Sequence, residues 1–345
     1  MTKKVILIGR INRGHLPIGG ETAKNQALVE ELGKYCRVTA LDFYRNKRRP
    51  WVYLQALWAL LTKPKASIIL STTASNIYPL LKAFKRFGIK RNIIHWVIGG
   101  AFDQLVETGR FNINVLNEAR LHIVESQQMA TRLEQCGLQG VRYVPNFRKI
   151  PLVAKPAPER QEGLTRFVYM SRIMKVKGVG EILQCAKRLN ESLHDRFSID
   201  FYGRLDAAYE QEFRQAVQQL PNAEYKGVLN LHEVSGYETL ATYQAMLFPT
   251  FHPSEGFAGA IIDAYIAGIP VIASDWNHNR EVVKDGETGI IIPVHDTEAL
   301  TQTMRDIIEG KTNISLLADH AKKEAEKYRT ENVINENLLK ELGIV

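Results

Sequence analysis

The stretch of residues 248–293 constrains the fold of this chain more than any other part. It reads FPTFHPSEGFAGAIIDAYIAGIPVIASDWNHNREVVKDGETGIIIP. An apolar strand end leads into a glycine-containing turn, then into a short helix and then into a β-branched run at residues 271–273. A strand, a helix and a second buried strand in this order predict a βαβ unit of a parallel sheet.

The turn of this unit has the features of a binding site. Glu255 and Gly256 stand in the turn, and Gly259 immediately precedes the predicted helix 260–267. The free N–H groups and positive dipole of a helix start suit a phosphate or a sugar oxygen, and the glycines allow close approach. Asp263 lies near enough to the helix start to meet the same ligand. The alternative is an ordinary buried βαβ unit with solvated acids.

The rest of the chain continues the alternation of strands and helices. Apolar strand patterns recur at residues 5–8, 38–43, 67–71, 92–98, 122–125 and 165–170. This alternation predicts mostly parallel, doubly wound sheets. With 345 residues the chain has the size of two domains, and the proline-rich segment with Pro151, Pro156 and Pro158 predicts the boundary between them.

The composition is that of a soluble globular protein, with 45% hydrophobic and 24% charged residues. The three cysteines, Cys36, Cys136 and Cys185, are scattered along the chain, which fits a reducing cytoplasmic compartment. The first residues read as a strand rather than a signal peptide, and the longest apolar run, near residues 51–61, is far too short to span a membrane.

Charge is distributed unevenly along the chain. Residues 1–150 contain 24 Lys and Arg against 9 Asp and Glu, a balance of +15, whereas residues 151–345 contain 21 against 28, a balance of −7. A basic half of this kind indicates a surface for nucleic acid, anionic lipid or a phosphorylated acceptor.

One basic segment of this half, residues 45–49, leads into an aromatic and leucine-rich helix at residues 51–61. Such a helix could dock on an anionic membrane, and a second basic cluster at residues 82–91 adds to that attraction. Alternatively, the helix packs its apolar side on the sheet and the basic loop is merely solvated. The match of its apolar residues to core packing favours the second interpretation.

Several motifs together resemble the retaining family-4 glycosyltransferases of the GT-B architecture. A strand ends in Ser171-Arg172, and Lys177-Gly178 follows after four residues. Glu255 is followed at the expected distance by Asp263, where the family has a second Glu; Asp keeps both oxygen acceptors. A small-residue helix, Gly-Ile-Pro-Val at 268–271 and Gly-x-x-x-Pro at 289–293 complete the resemblance.

The resemblance implies an α/β fold of GT-B type, with two doubly wound Rossmann-like domains, parallel sheets and a cleft between them. Residues 1–147 would form the acceptor-side domain and residues 148–330 the nucleotide-sugar donor domain. The C-terminal helix, at about residues 331–345, would pack back on the first domain. The two halves share this pattern but not their residues.

The resemblance also assigns roles to individual residues. Glu255 would hold donor-sugar hydroxyls and Asp263 the ribose, while Arg172 and Lys177 would neutralise the departing diphosphate without a metal ion. Further donor-binding positions are Gly256, Phe257, Ala258, Gly259, Gly203, Gly227, Gly19 and Gly20. The pair Gly19-Gly20 is equally compatible with a plain turn. The family's first-domain histidine has no match, since His95 lies inside a predicted strand and reads as a core residue.

The implied activity is retaining transfer of a sugar from a UDP- or GDP-sugar to a lipid-linked or polysaccharide glycan in surface polysaccharide biosynthesis. We expect no metal, no other cofactor and no nucleic acid partner, and a cytoplasmic location that extends to the inner face of the cell membrane. Two alternatives remain. A non-catalytic nucleotide-sugar-binding protein would explain Asp263 and the unmatched histidine. A nucleotide-sugar epimerase of the same fold would need acids and a histidine from the first domain, which the sequence does not show.

Overall fold

The computed structural model describes residues 4–151 and 163–344, which form two compact units. The first unit comprises Met1–Lys149 and Tyr328–Val345, and the second comprises Ile150–Lys327. Most of the proline-rich segment that predicts the domain boundary, including Pro156 and Pro158, lies outside the described residues.

The first unit is built on a six-stranded parallel sheet with strand order β2-β1-β3-β4-β5-β6. Its strands are short apolar runs, namely β1 (Lys4–Gly9), β2 (Arg37–Asp42), β3 (Ser67–Thr72), β4 (Ile93–Val97), β5 (Leu121–Val124) and β6 (Val141–Tyr143). Ile68 and Leu70 of β3 pack into one core, whereas Ile69 packs into another. Because side chains alternate along a strand, these two cores cover opposite faces of the sheet, as in a doubly wound fold.

The described residues of this unit form the α-helices α1 (Gly20–Gly33), α2 (Trp51–Thr62), α3 (Ala74–Arg86), α4 (Phe102–Glu107), α5 (Ile113–Leu116), α6 (Gln127–Gln135), α14 (Thr330–Val333) and α15 (Glu336–Glu341). The last two bury Val333, Leu338 and Leu339 in the core that also holds Val5 and Leu7 of β1.

The prediction of one continuous C-terminal helix is wrong, because this segment forms the two short helices α14 and α15. Asn335 interrupts it with an extended backbone, and its side chain accepts a hydrogen bond from the Leu338 N–H. An asparagine of this kind is a favourable N-cap, so the second helix starts anew at this point.

Helix α2 also departs from prediction, since the favoured interpretation placed its apolar side on the sheet. The residues that it buries are the small ones, Val52, Ala56 and Ala59. Its large apolar side chains, including Leu54 and Trp58, are exposed instead. None of the described helices, α2 included, is long and apolar enough to cross a membrane.

The second unit contains another six-stranded parallel sheet, with strand order β12-β11-β10-β7-β8-β9. Its strands are β7 (Thr165–Met170), β8 (Phe197–Tyr202), β9 (Ala223–Tyr225), β10 (Ala245–Phe248), β11 (Val271–Ser274) and β12 (Gly289–Ile292). Phe167 and Val168 are both fully buried although they point to opposite faces of β7. This sheet is therefore covered on both sides.

The helices of the second unit are α7 (Val179–Leu193), α8 (Glu210–Gln218), α9 (Val234–Leu240), α10 (Gly259–Ile266), α11 (Asn279–Val282), α12 (Thr297–Ile308) and α13 (Ile314–Ala325). Helix α10 follows the predicted turn and is apolar nearly all round, as a fully buried helix should be. The Tyr265 hydroxyl fixes it further, because it contacts the Val282 carbonyl at 3.1 Å and the Thr288 hydroxyl at 2.7 Å.

Candidate functional site

The candidate site lies where the strand order of the second unit reverses. Strands β7 and β10 are neighbours in the sheet although two other strands separate them in the chain. In open α/β sheets, ligands bind at the carboxyl ends of the strands that flank such a reversal. The loop with Arg172 and Lys177 follows β7, and the loop with Glu255 follows β10. The topology therefore brings the Arg172–Lys177 loop and the Glu255 loop together at the carboxyl edge of the sheet.

Lys177 and Glu255 form an ion pair at this edge, between Lys177 Nζ and Glu255 Oε2. Both side chains are nearly buried, with exposed fractions of 12% and 11%. The Thr250 hydroxyl donates a second hydrogen bond to the same carboxylate oxygen at 2.9 Å. A buried carboxylate needs partners of this kind to remain ionised. The pair thus holds a positive and a negative group side by side in a partly dry site.

A glycine allows the two loops to meet. Gly178 has φ of 76°, a conformation that side-chain-bearing residues rarely adopt, and an added Cβ would lie 2.0 Å from the Pro249 carbonyl oxygen. The turn that carries Lys177 can therefore rest directly on the end of β10. Lys177 Nζ also lies 5.7 Å from the centre of the Phe248 ring, within the range of a cation–π interaction.

Arg172 lies in the same loop, and its side chain is exposed. Its backbone is fixed, since the Tyr169 hydroxyl donates to the Arg172 carbonyl at 2.8 Å. Gly203, after β8, packs so closely on this loop that an added Cβ would lie 1.7 Å from the Ser171 carbonyl oxygen. The Gly203 N–H donates to the Gly227 carbonyl at 2.8 Å. The loops after β7, β8 and β9 are thereby linked in a row.

The start of α10 borders the Glu255 loop. Ala258 is the N-cap and has no polar side chain, so no side chain at this position caps the start of the helix. The loop is held by Asn277, whose side-chain amide donates to the Glu255 carbonyl at 3.1 Å. A helix start of this kind can donate backbone N–H groups to an anion.

Asp263 lies one turn into α10 and is buried, with an exposed fraction of 7%. Its Oδ1 accepts a hydrogen bond at 3.1 Å from the Tyr237 hydroxyl, which comes from α9. The carboxylate of Asp263 is thus oriented by the neighbouring helix α9. Asp263 itself lies in α10, the helix that begins at Gly259.

Sequence reasoning missed four residues near the charged groups. Thr250 and Tyr237 donate to carboxylates, Asn277 holds the Glu255 backbone, and His252 lies near Lys177 and Arg172. Thr250 and His252 stand in the quoted stretch, only a few residues before Glu255, so their position was a usable signal. The sequence positions of Tyr237 and Asn277 give no such signal, because only the fold brings them near Asp263 and Glu255. Burial, together with the nearby cations Lys177 and Arg172, lowers the pKa of His252.

Two predicted donor-binding residues lie in the other unit. Gly19 is the N-cap of α1 and Gly20 is the first residue of that helix, and a Cβ added to either would meet open space. The Thr22 hydroxyl accepts a hydrogen bond from the Gly19 N–H at 3.1 Å. This contact fits a capped helix start, and the role of the two glycines in donor binding stays a prediction.

His95 is a core residue, as the sequence indicated. It is fully buried in β4, where its Nδ1 lies 3.1 Å from Nδ1 of His122 in β5. Among the described residues, no group of three or more His, Cys, Asp and Glu side chains is placed to hold a metal ion. Independence of metal ions stays a prediction for experiment.

Comparison of the whole structure with known ones supports the architecture. The chain aligns over its full length with all of the protein Alr3699/HepE of Anabaena, solved in complex with UDP, at a TM-score of 0.73 and 15% identity. This likeness confirms the predicted GT-B fold class, with two parallel six-stranded sheets flanked by helices.

Curated relatives share part of the sequence. The 2-deoxystreptamine N-acetyl-D-glucosaminyltransferase of Niallia circulans is 25% identical over 61% of this chain and 53% of its own length. The capsular polysaccharide biosynthesis glycosyltransferase CapM of Staphylococcus aureus is 26% identical over 49% of this chain and 43% of its own length. The chain thus spans about half or less of these relatives.

The family model of the glycosyl transferases group 1 matches residues 154–328, which is just over half of the chain and nearly the whole second unit. The matched region contains the Lys177–Glu255 pair, the turn before α10 and Asp263. This chain belongs to the glycosyl transferases group 1 family.

Proposed function

We propose that the protein transfers a sugar from a nucleoside-diphosphate donor, bound in the second unit, to a glycan acceptor, with retention of the anomeric configuration. The observation that carries this proposal is the buried Lys177–Glu255 pair at the strand-order reversal. A cation for phosphate and a carboxylate for sugar hydroxyls are the two groups that recognition of a sugar phosphate needs.

Each group then has a separate task. Lys177 and Arg172 stabilise the negative charge that develops on the leaving diphosphate, and the N–H of Gly259 donates to the same group. Glu255 accepts hydrogen bonds from donor-sugar hydroxyls and is held in place by Lys177 and Thr250. Such charge-assisted hydrogen bonds contribute about 1.5–3 kcal/mol each, and more where water is excluded.

The proposed reaction takes place on one face of the sugar. The bond between the anomeric carbon and the phosphate oxygen breaks while the acceptor oxygen bonds to the same carbon. The proton of the acceptor hydroxyl passes to the departing phosphate oxygen, so no enzymic carboxylate is needed as a nucleophile. Proton NMR of the first product tests this directly: an α-linked donor should give an α-linked product, whereas inversion would contradict the proposal.

The donor and the location are further parts of the proposal. UDP is one candidate nucleotide, because the structurally similar HepE was solved with it, and GDP is the other. CapM, by its name, acts in capsular polysaccharide biosynthesis, which favours a polysaccharide or lipid-linked acceptor made in the cytoplasm. A thermal-shift screen with UDP, GDP and their sugars identifies the donor, and stabilisation by none of them would contradict nucleotide binding.

Asp263 should bind the ribose of the donor nucleotide. We therefore expect Asp263→Asn to weaken binding of the bare nucleoside diphosphate by about tenfold or more, as for loss of a charge-assisted hydrogen bond. Isothermal titration calorimetry measures this without any turnover. Glu255→Gln should leave nucleotide affinity nearly unchanged and slow turnover instead, since the sugar is the only part of the donor that Glu255 contacts in this proposal.

Tyr237→Phe is the matched control, because it removes the hydroxyl that orients Asp263 and keeps the carboxylate. It should weaken nucleotide binding less than Asp263→Asn does. Equal affinity in the wild type and Asp263→Asn would make Asp263 a structural acid that serves only the contact with α9.

A further inference from the structure

Helix α2 presents an unusually apolar outer face. We define this face by its large exposed side chains, which are exposed by 49–71%: Trp51, Tyr53, Leu54, Leu57, Trp58 and Leu61. They cover the side of the helix opposite to the buried Val52, Ala56 and Ala59. Scattered exposed apolar residues are common, but six on one short helix form a contiguous patch of the kind that marks an interaction site.

A second exposed apolar group lies beside the carboxyl end of α2. Phe87 and Ile89, in the loop between α3 and β4, are exposed by 72% and 41%. Arg91, at the end of this loop, donates hydrogen bonds to the Leu60 carbonyl at 3.0 Å and to the Lys63 carbonyl at 2.9 Å. These bonds hold the loop against the carboxyl end of α2.

The segment that carries this surface contains cations and no acids. Between Asp42 and Asp103 the sequence contains 11 Lys and Arg residues and no Asp or Glu. A basic turn, defined as Arg45, Lys47, Arg48 and Arg49, is exposed at the amino end of the helix. Lys65 is exposed near its carboxyl end, as is Lys90, which pairs with Glu118 at 3.1 Å. The apolar face is therefore flanked by cations at both ends.

This combination fits a lipid surface better than a protein partner. Apolar side chains with aromatic residues among them, flanked by Lys and Arg, are typical of helices that lie in the interface of an anionic bilayer. The helix has 12 residues, too few to cross a bilayer but enough to lie along it. Trp and the flanking cations prefer the headgroup region, whereas Leu reaches the acyl chains.

We propose that α2 docks flat on an anionic lipid bilayer. Its apolar face enters the interface, and the basic turn contacts the lipid headgroups. The inference does not rest on the proposed glycosyl transfer, because Arg172, Lys177 and Glu255 all lie in the other unit. The partner of the apolar face and the basic turn is a lipid surface rather than a soluble phosphorylated molecule. A soluble phosphate would bind the cations but leave the apolar face exposed.

Co-sedimentation with vesicles tests the docking. The wild type should bind vesicles of mixed phosphatidylglycerol and phosphatidylcholine, and should bind vesicles of phosphatidylcholine alone much more weakly. Trp58→Ser and Leu61→Ser should each reduce partitioning about tenfold, because each removes a large apolar group that enters the bilayer. Leu316→Ser changes an exposed leucine on α13 of the second unit and should partition as the wild type does.

The basic turn is tested by reversing the charge of all four residues, which should abolish binding to anionic vesicles, and raised salt should weaken wild-type binding. Nucleotide affinity, measured in solution on the same variants, should stay that of the wild type. Failure of the wild type to bind anionic vesicles at low salt would overturn the inference. So would a concentration-dependent dimer that Trp58→Ser dissociates, since the face would then be covered by a second copy of the chain.

Discussion

Replacement of Lys177 by alanine should reduce turnover of the donor by about 10²–10³-fold, as when one strong donor to a developing anion is lost. Lys177 lies in the loop after β7, in contact with Glu255 and over the Phe248 ring, so its ammonium group is positioned before the donor arrives. The loss should appear mainly in kcat, because the charge on the leaving diphosphate is largest in the transition state. Release of the nucleoside diphosphate at saturating donor measures it.

Lys175→Ala is the matched control, since Lys175 is two residues away and pairs on the surface with Glu212 at 2.7 Å. It should keep nearly full turnover. Lys177→Ala leaves Glu255 with Thr250 as its remaining hydrogen-bond donor at that oxygen, so circular dichroism must first show that the variant is folded. EDTA should leave the wild-type rate unchanged, and an absolute requirement for a divalent cation would contradict the assigned role of Lys177.

Acid should destabilise the first unit through the buried pair His95 and His122. Burial lowers the pKa of both imidazoles, and that of His122 falls from 6.5 to about 4. The unfolded chain therefore binds a proton at a higher pH than the folded chain does. The stability that the neutral pair provides is complete above pH 6.5 and is lost as pH falls from there towards about 4.

Burial makes a further proton costly, although the hydrogen bonds of the two rings to backbone carbonyls favour the protonated form. Each Nε2 lies 3.1 Å from a backbone carbonyl, of Thr72 for His95 and of Leu116 for His122, and must donate to it. A further proton fits only between the two Nδ1 atoms, where it places a charge in the core. For His122 alone, acidification from roughly pH 7.5 to 4.5 should remove about 2–3 kcal/mol of unfolding free energy.

Hydrogen exchange of the amides in β4 and β5 measures this loss in the first unit, because the two histidines lie in these strands. In His122→Gln the titrating group is gone, so the stability difference from the wild type should shrink as pH falls. The exposed His194 lies in the second unit, and His194→Gln should follow the wild type at every pH. Parallel pH profiles of the wild type and His122→Gln would refute the role of the pair.

The sequence predicts most of the fold because periodicity and burial agree. The strands at residues 67–71 and 165–170 are short β-branched or aromatic runs, and the structure extends each of them by no more than one residue. The edge that gathers the site was also predictable, since Lys177 and Glu255 both follow buried parallel strands. The direct ion pair between them was not, because it depends on Gly178 allowing one loop to rest on the other.

Helix α2 shows where periodicity fails. Its apolar residues surround nearly the whole helix, so the pattern does not reveal which side meets the sheet. Close packing against β1 and β2 selects the small side, with Ala56 and Ala59, and leaves Leu54 and Trp58 outside. Periodicity also fails at Asn335. A polar residue there does not interrupt the apolar pattern of a helix, but its side chain caps the start of a new helix.

The central claim is that the second unit binds a nucleoside-diphosphate sugar and releases its nucleotide. The most direct test is the rate of nucleotide release from UDP- and GDP-sugars, compared between the wild type, Lys177→Ala and Glu255→Gln. We predict that the wild type slowly releases nucleotide from one of these donors, and faster with acceptor, and that both variants release it more slowly than the wild type. Release of no nucleotide by the wild type, with or without a glycan acceptor, or release that is equal in all three proteins, would contradict the claim.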